Sequence, residues 1–132
     1  MMELEGKSVL DLFAGTGAIS WEFASRGCAP VTAVEQAAVQ AGFIRSVKEK
    51  LGDTSLKLIK GDVFRFIERG KEKYDIIFAD PPYDHPRFAE IPELILNSAM
   101  LKEGTAGILE HEIHIFGRYL FCSDYEVTLV LA

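Results

Sequence analysis

Cysteine is scarce in this 132-residue chain, which contains only Cys28 and Cys122. Two cysteines this far apart build neither the disulfide framework of a small secreted domain nor the paired spacing of a structural zinc site. We therefore expect buried or half-buried thiols, a cytoplasmic location and no bound metal.

Basic residues are also in deficit, with 14 Lys and Arg against 20 Asp and Glu, a net charge of −6 and a pI near 5.0. Non-specific affinity for nucleic acids comes mostly from Lys and Arg contacts to phosphates. The composition therefore argues against strong autonomous binding to nucleic acid, while a local contact stays compatible with it.

Long hydrophobic runs are missing as well, because no uncharged stretch approaches the roughly 20 residues of a membrane-spanning helix. Residues 1–5 (MMELE) are acidic, whereas a signal peptide begins with a basic segment. With 48% hydrophobic and 26% charged residues, we expect one globular domain over residues 1–132, without a membrane partner.

Short apolar runs rich in β-branched residues alternate with amphipathic segments, which is typical of a parallel sheet covered by helices. Strands are predicted over residues 8–13, 31–35, 56–60, 74–79 and 105–110. Helices are predicted over residues 18–26, 37–51 and 61–67, which stop at Gly27, Gly52 and Gly70, and from about residue 92. Residues 113–122 and 126–131 are predicted to form an antiparallel hairpin turning at residues 123–124. The predicted fold is α/β, doubly wound, with a mostly parallel sheet and this antiparallel C-terminal hairpin.

Apolar spacing predicts which helix faces point toward the core. In the second helix the apolar residues follow one another in i+4 steps: Val39, Phe43, Val47 and Leu51. In the helix near Pro92 the predicted buried stripe is Ile91, Leu94, Ile95 and Ala99.

Residues 11–17 (DLFAGTG) form a glycine-rich turn between the first strand and the first helix. Glycines let a ligand approach the backbone, and a helix N-terminus offers free N–H groups. A dinucleotide fingerprint requires a third glycine where Ser20 stands. The Asp11 carboxylate repels phosphate but suits an ammonium group. A tight turn with no ligand is the alternative.

Acidic residues also follow the second and third strands. Glu35 stands eighteen residues beyond Gly17, where an acidic side chain can accept both hydroxyls of a ribose, or can simply be a solvated strand end. Asp62 is placed to cap the next helix, to read an adenine amino edge, or to do both.

Residues 80–83 (DPPY) follow the fourth strand and form the most specific motif in the chain. Two prolines remove two backbone donors and fix φ, so the carbonyls are rigidly aimed. The Asp80 carboxylate and a rigid carbonyl are two acceptors suited to a planar amino group, and Tyr83 offers a ring for stacking a base. A strand-ending turn without chemistry is the alternative.

Histidines give weaker signals. His111 and His114 share a predicted strand at a spacing that points them to opposite faces, which disfavours a metal site. His85 and Arg87 follow the proline turn, where they contact a phosphate or are solvated loop residues.

Taken together, these motifs resemble S-adenosylmethionine-dependent methyltransferases of the Rossmann-like class. The turn at residues 13–17 (FAGTG), residues 62–67 (DVFRFI) and residues 78–83 (FADPPY) are similar, more narrowly, to the small-subunit ribosomal RNA guanine-N2 methyltransferase family. The resemblance covers residues 7–110. DNA adenine-N6 methyltransferases share the DPPY motif.

The resemblance implies that S-adenosyl-L-methionine is the cofactor and ribosomal RNA or the small ribosomal subunit the partner. The implied cofactor-binding residues are Asp11, Phe13, Ala14, Gly15, Thr16, Gly17, Glu35, Gln36, Asp62, Val63 and Asp80. The implied catalytic residues, which hold the target amine and stack on its base, are Asp80, Pro81, Pro82 and Tyr83.

Two features depart from that family. Its members carry a basic segment before the first strand, where this chain has only residues 1–6, and residues 111–132 do not match its tail clearly. The expected activity is methyl transfer to guanine N2 of small-subunit ribosomal RNA. The alternatives are a DNA adenine-N6 methyltransferase and a non-catalytic cofactor-binding remnant. A nicotinamide dehydrogenase is disfavoured by Asp11, Ser20 and the proline turn.

Overall fold

The computed structural model describes residues 4–82, 84–101, 113–115 and 118–122. The strands are β1 Val9–Leu12, β2 Val31–Glu35, β3 Leu56–Lys60, β4 Ile76–Ala79, β5 Ile113–Ile115 and β6 Arg118–Cys122. The helices are α1 Ala18–Ser25, α2 Ala38–Leu51, α3 Val63–Arg69 and α4 Ile91–Leu96, with a 3₁₀ turn at Phe88–Glu90 before α4.

The described strands form one sheet in the order β3-β2-β1-β4-β6-β5. Strands β1 to β4 pair in parallel, whereas β6 runs antiparallel to β4 and β5 antiparallel to β6. The chain moves outward from β1 to β3 and then returns to the other side of β1 as β4. This confirms the predicted α/β, Rossmann-like fold, in which ligands bind at the carboxyl ends of strands where the winding reverses.

The two central strands are buried on both faces, as expected for parallel strands covered by helices. Alternate residues of β1 point to opposite faces. Leu10 and Leu12 belong to one core cluster together with Ile91 and Ile95 of α4. Val9 packs on the other side, in the cluster that contains Phe23 of α1. The strand ends are therefore held rigidly from both sides.

Helix α2 was predicted, but its predicted buried face was wrong. Val39, Phe43 and Leu51 are 86%, 51% and 64% exposed, while Ala41 and Ile44 are buried. Each i+4 step turns about 40° beyond a full turn of an α-helix, so the three steps from Val39 to Leu51 drift by about 120° and the four residues do not share one narrow face. The face that meets the sheet is set by close packing of Ile44 in the cluster of β2 and β3 side chains.

The end of α4 and the C-terminal hairpin also differ from expectation. Helix α4 stops at Leu96, so Ala99 lies beyond it and is exposed rather than part of a buried stripe. Residues 113–122, predicted as one strand, form two strands that pair with each other. Both segments are rich in apolar residues that favour strands, so their composition does not locate the reversal between them. The strands predicted at residues 105–110 and 126–131 and the turn at residues 123–124 lie outside the described residues.

Candidate active site

The carboxyl ends of β1, β2 and β4 and the first turn of α3 surround a cavity of about 930 Å³. This is the upper part of the usual range for small-molecule and cofactor sites. The predicted site residues that line it are Phe13, Ala14, Gly15, Thr16, Glu35, Gln36, Val63, Asp80, Pro81 and Pro82. Asp11, Gly17 and Asp62 are not among its lining residues, and Tyr83 lies outside the described residues. The structure thus brings most of the predicted site to one place.

The turn after β1 is built from residues in the left-handed region of backbone space. Phe13, Gly15 and Gly17 have φ values of 61°, 58° and 86°. A Cβ on Gly17 would lie 3.0 Å from Ile44 Cγ1, so a side chain at this helix start would collide with the core. A Cβ on Gly15 would meet nothing within 4 Å, because Gly15 faces the cavity. Gly17 therefore serves packing, and Gly15 leaves room for a ligand.

Glu35 forms hydrogen bonds with two of the loops that line the cavity, the one after β1 and the one after β2. Its Oε1 accepts a hydrogen bond of 2.7 Å from the Gly15 N–H, and its Oε2 accepts one of 2.8 Å from the Ala37 N–H. A carboxylate oxygen has two lone pairs, so each oxygen can still accept a ribose hydroxyl. The predicted ribose-binding residue thus also fixes the glycine-rich turn.

Asp11 lies buried beneath that turn, where Ser20 Oγ donates a 2.6 Å hydrogen bond to its Oδ2. Burial raises the pKa of Asp11 to about 7, the Ser20 hydrogen bond opposes this, and the charges of Asp80 and Glu35 raise the pKa further. Three carboxyl groups therefore converge on the strand ends. Such a site favours a cationic ligand over an anionic one.

Asp62 caps α3, as one of the two interpretations predicted, because its Oδ1 accepts a 3.1 Å hydrogen bond from the Arg65 N–H. Its side chain is exposed and borders a neighbouring cleft with Arg65. Val63 and Phe64 line the main cavity and give it an apolar wall. Contact between Asp62 and an adenine amino group stays a prediction.

The turn after β4 places Asp80, Pro81 and Pro82 against the cavity. Asp80 is half-buried and Pro81 is buried, so neither swings freely. The Pro82 carbonyl accepts a 2.9 Å hydrogen bond from the His85 N–H, which closes the turn. A carboxylate and backbone carbonyls thus stand at the end of a central strand in a fixed arrangement.

Sequence reasoning missed part of the lining. Ala18, Ile19, Ala37 and Gln40 come from the first turns of α1 and α2, which follow the recognised loops directly. His85 lies in the cavity with its ring 5.1 Å from that of Phe64, where the sequence offered a phosphate contact or a solvated loop. No signal in the sequence paired these two rings, because they follow different strands.

Within the ranges that the structure covers, no helix is long and apolar enough to cross a membrane. The same ranges contain no group of three or more His, Cys, Asp or Glu side chains arranged to hold a metal ion. His111 lies outside them.

Known proteins similar to this chain were found among curated sequences and among solved structures. The chain is 28% identical over 103 residues to the ribosomal RNA small subunit methyltransferase D of Buchnera aphidicola, a match covering 78% of this chain and 53% of that protein. It is 32% identical over 80 residues to the ribosomal RNA large subunit methyltransferase K/L of Colwellia psychrerythraea, covering 59% of this chain and 11% of that protein. The chain thus spans about half the length of the first relative.

Among solved structures, an S-adenosylmethionine-dependent methyltransferase from Mesorhizobium loti superposes with a TM-score of 0.57. The match covers 76% of this chain and 44% of that one at 14% identity, and so concerns the fold alone. The curated relatives confirm the predicted resemblance to ribosomal RNA methyltransferases. A family model matches residues 1–117, so the chain belongs to the family described as conserved hypothetical protein 95.

Proposed function

We propose that this chain binds S-adenosyl-L-methionine and transfers its methyl group to an exocyclic amine of a nucleobase, with guanine N2 of small-subunit ribosomal RNA as the target. One observation carries the proposal: the Asp80–Pro81–Pro82 turn and Glu35 line a single cavity beside the open Gly15. The similarity to a small-subunit ribosomal RNA methyltransferase supports the choice of substrate. The substrate would be met in the cytoplasm, as free RNA or within the small ribosomal subunit.

The residues present fit this cofactor. Its sulfonium and ammonium groups are cations, and the side chains of Glu35 and Asp80 line the cavity. Glu35 would accept the ribose hydroxyls, and Val63 and Phe64 would flank the adenine. A pyrophosphate-containing dinucleotide would instead bring negative charge next to these carboxylates, which disfavours a nicotinamide cofactor.

Catalysis in this site would rely mainly on positioning, without a covalent intermediate, and the proton that the amine loses on methylation would pass to solvent. The cofactor, when bound, supplies a methyl group on a positively charged sulfur. Asp80 would accept a hydrogen bond from the target amine, and the Pro81 carbonyl would accept a second. The two acceptors would orient the amine nitrogen and its lone pair. Tyr83 would stack on the base extruded from its helix or loop.

Two measurements test this function. Calorimetric titration with S-adenosylhomocysteine is expected to give micromolar binding. Transfer of tritiated methyl groups from S-adenosylmethionine is expected to label small-subunit ribosomal RNA, free or assembled, in preference to large-subunit RNA and duplex DNA. Labelling of adenine in DNA alone would assign the adenine-N6 activity. Binding without any transfer would identify a non-catalytic remnant, and a folded chain that binds no cofactor would contradict the proposal.

Asp80→Ala is expected to abolish methyl transfer while leaving the dissociation constant of S-adenosylhomocysteine nearly unchanged, because its main partner would be the target amine. Asp84→Ala is the matched control, since Asp84 is an exposed carboxylate four residues further on. It should retain the wild-type rate. Equal loss of transfer and cofactor affinity in Asp80→Ala would make Asp80 a cofactor-binding or folding residue instead.

A further inference from the structure

His85 is held firmly in the turn that follows the Asp80–Pro82 segment. Its N–H donates to the Pro82 carbonyl at 2.9 Å, and its own carbonyl accepts from the Phe88 N–H at 3.0 Å. Its ring atom Nδ1 accepts a 3.0 Å hydrogen bond from the Arg87 N–H. Both the backbone and the ring orientation of His85 are therefore fixed relative to the turn that carries Asp80.

The ring hydrogen bond also determines where the imidazole carries its proton. Because Nδ1 accepts from a backbone N–H, it bears no hydrogen, and the neutral ring must carry its proton on Nε2. Among the residues that the structure describes, Nε2 has no hydrogen-bond partner, although the His85 side chain lines the cavity. The His85 ring, which lines the cavity, thus carries one donor that the described residues leave unused.

Two aromatic rings that belong to other parts of the fold contact the imidazole. The Phe64 ring lies 5.1 Å away at an interplanar angle of 31°, and the Phe13 ring lies 6.3 Å away edge-on at 64°. Arg87 covers Phe64, with its guanidinium carbon 4.2 Å from the ring centroid. We call Phe13, Phe64 and His85 the aromatic cluster. Its three members line the same cavity as Asp80 and Pro81.

The nucleobases that carry an exocyclic amine also carry a hydrogen-bond acceptor next to it, which this donor can bind. In guanine, adenine and cytosine the carbon that bears the exocyclic amine is bonded to a ring nitrogen with a free lone pair. A site that holds such an amine by two acceptors leaves that nitrogen unsatisfied unless a donor stands beside it. Burying an unpaired acceptor is unfavourable, so a matched donor favours the correct base over an incorrect one by about tenfold or more.

We propose that His85 positions the target base by donating a hydrogen bond from Nε2 to the ring nitrogen next to the reactive amine; this rests on the proposed function. For guanine that nitrogen is N3, because N1 carries a hydrogen and would face the donor unfavourably. The site would then recognise two neighbouring groups of the base, the amine as a donor and the adjacent ring nitrogen as an acceptor. His85 acts through base orientation and specificity, whereas Asp80 and Pro81 contact the amine itself.

Two substitutions separate the donor from the ring. His85→Phe keeps an aromatic ring against Phe64 but removes the Nε2 donor, and His85→Gln keeps an amide donor of similar reach but removes the ring. We expect His85→Phe to lower kcat/KM for small-subunit ribosomal RNA about tenfold or more, a loss typical of one hydrogen bond between buried groups. His85→Gln should retain clearly more activity than His85→Phe. Both should unfold cooperatively, and His85→Phe, which keeps a ring against Phe64, should bind S-adenosylhomocysteine within twofold of wild type.

A modified RNA substrate tests the same hydrogen bond by removing its acceptor instead of its donor. At the guanosine that the wild-type enzyme methylates, 3-deazaguanosine replaces the acceptor N3 by a C–H group. The wild type should lose about tenfold in kcat/KM on this RNA, and His85→Phe should lose nothing further, since the two changes remove one shared interaction. Additive losses would overturn the assignment of N3 as the partner of His85.

The outcomes distinguish this inference from the function on which it rests. Wild-type activity together with an unaffected His85→Phe variant overturns only the role of His85. Equal losses in His85→Phe and His85→Gln also overturn it, because a donor of similar reach would then recover no activity. A wild-type chain that binds cofactor but methylates no RNA overturns the proposed function and this inference with it.

Discussion

At the scale of single residues, the buried carboxyl of Asp11 links the chemistry of the site to the stability of the fold. Its pKa is raised from 3.8 to about 7, first by burial and also by the charges of Asp80 and Glu35. An unfolded chain has none of these constraints, so Asp11 ionises there near its ordinary value. Protonation of Asp11 and folding are therefore coupled.

We predict that the free energy of unfolding falls as pH rises from about 4 to about 7, by up to about 1.4 kcal/mol per pH unit from this group. Within that window the unfolded state has lost the Asp11 proton while the folded state keeps it, so rising pH favours unfolding. Below the window both states are protonated, and above it both are ionised. Urea unfolding of wild type and Asp11→Asn at several pH values measures the difference, and Asp11→Asn should have the shallower slope.

Ser20→Ala provides the control for this prediction. It removes the hydrogen bond from Ser20 Oγ that lowers the pKa of Asp11, so the decline should extend to higher pH than in wild type. Identical slopes in wild type and Asp11→Asn would show that Asp11 does not titrate in this window.

At the scale of elements, α3 shows which features of a helix the local sequence predicts. Its start at the Asp62 cap and its end at Gly70 were predicted, because a cap and a terminating glycine act on the backbone of their own helix. Helix α2 was located equally well, but its buried face was wrong. Which face is buried depends on the sheet beneath the helix, and that contact is not local.

This difference predicts contrasting costs for two truncations on α2. Ile44→Ala removes a fully buried side chain and should destabilise the protein by about 2–5 kcal/mol. Val39→Ala changes a side chain that is 86% exposed and should shift stability by about 0.5 kcal/mol or less. Urea denaturation of both variants measures the two costs. Comparable losses would place Val39 in a packed interface and contradict the observed face of α2.

At the scale of the whole molecule, the cavity exists only when separate strand ends are assembled. Gly15, Glu35, Val63 and Asp80 follow different strands and come together at one edge of the sheet. A ligand that contacts all of them binds the folded state and not the unfolded chain. Ligand binding is therefore thermodynamically linked to folding.

We predict that S-adenosylhomocysteine at one hundred times its dissociation constant raises the free energy of unfolding by about 2.7 kcal/mol. Glu35→Ala should reduce this effect, because it removes the predicted ribose acceptor and the hydrogen bonds that hold the Gly15 turn. We expect its affinity to fall about ten- to a hundredfold. Calorimetry and ligand-dependent unfolding curves should agree, and an unchanged dissociation constant would remove Glu35 from the cofactor site.

The sequence by itself determined the alternation of strands and helices, the helix caps and terminators, and the motifs that follow β1, β2, β3 and β4. These are local properties of backbone conformation and hydrophobic periodicity. A parallel sheet then requires those strand ends to share one edge, which is why most of the cavity could be predicted from residues 11–17, Glu35 and residues 80–82.

Only the tertiary structure decided which neighbours complete the site. The contact between the His85 and Phe64 rings joins the turn after β4 to the first turn of α3. Glu35, at the end of β2, accepts a hydrogen bond from the Gly15 turn that follows β1. The inward face of α2 and the pairing of β5 with β6 likewise depend on contacts between elements. Such contacts depend on three-dimensional packing, for which local periodicity carries no signal.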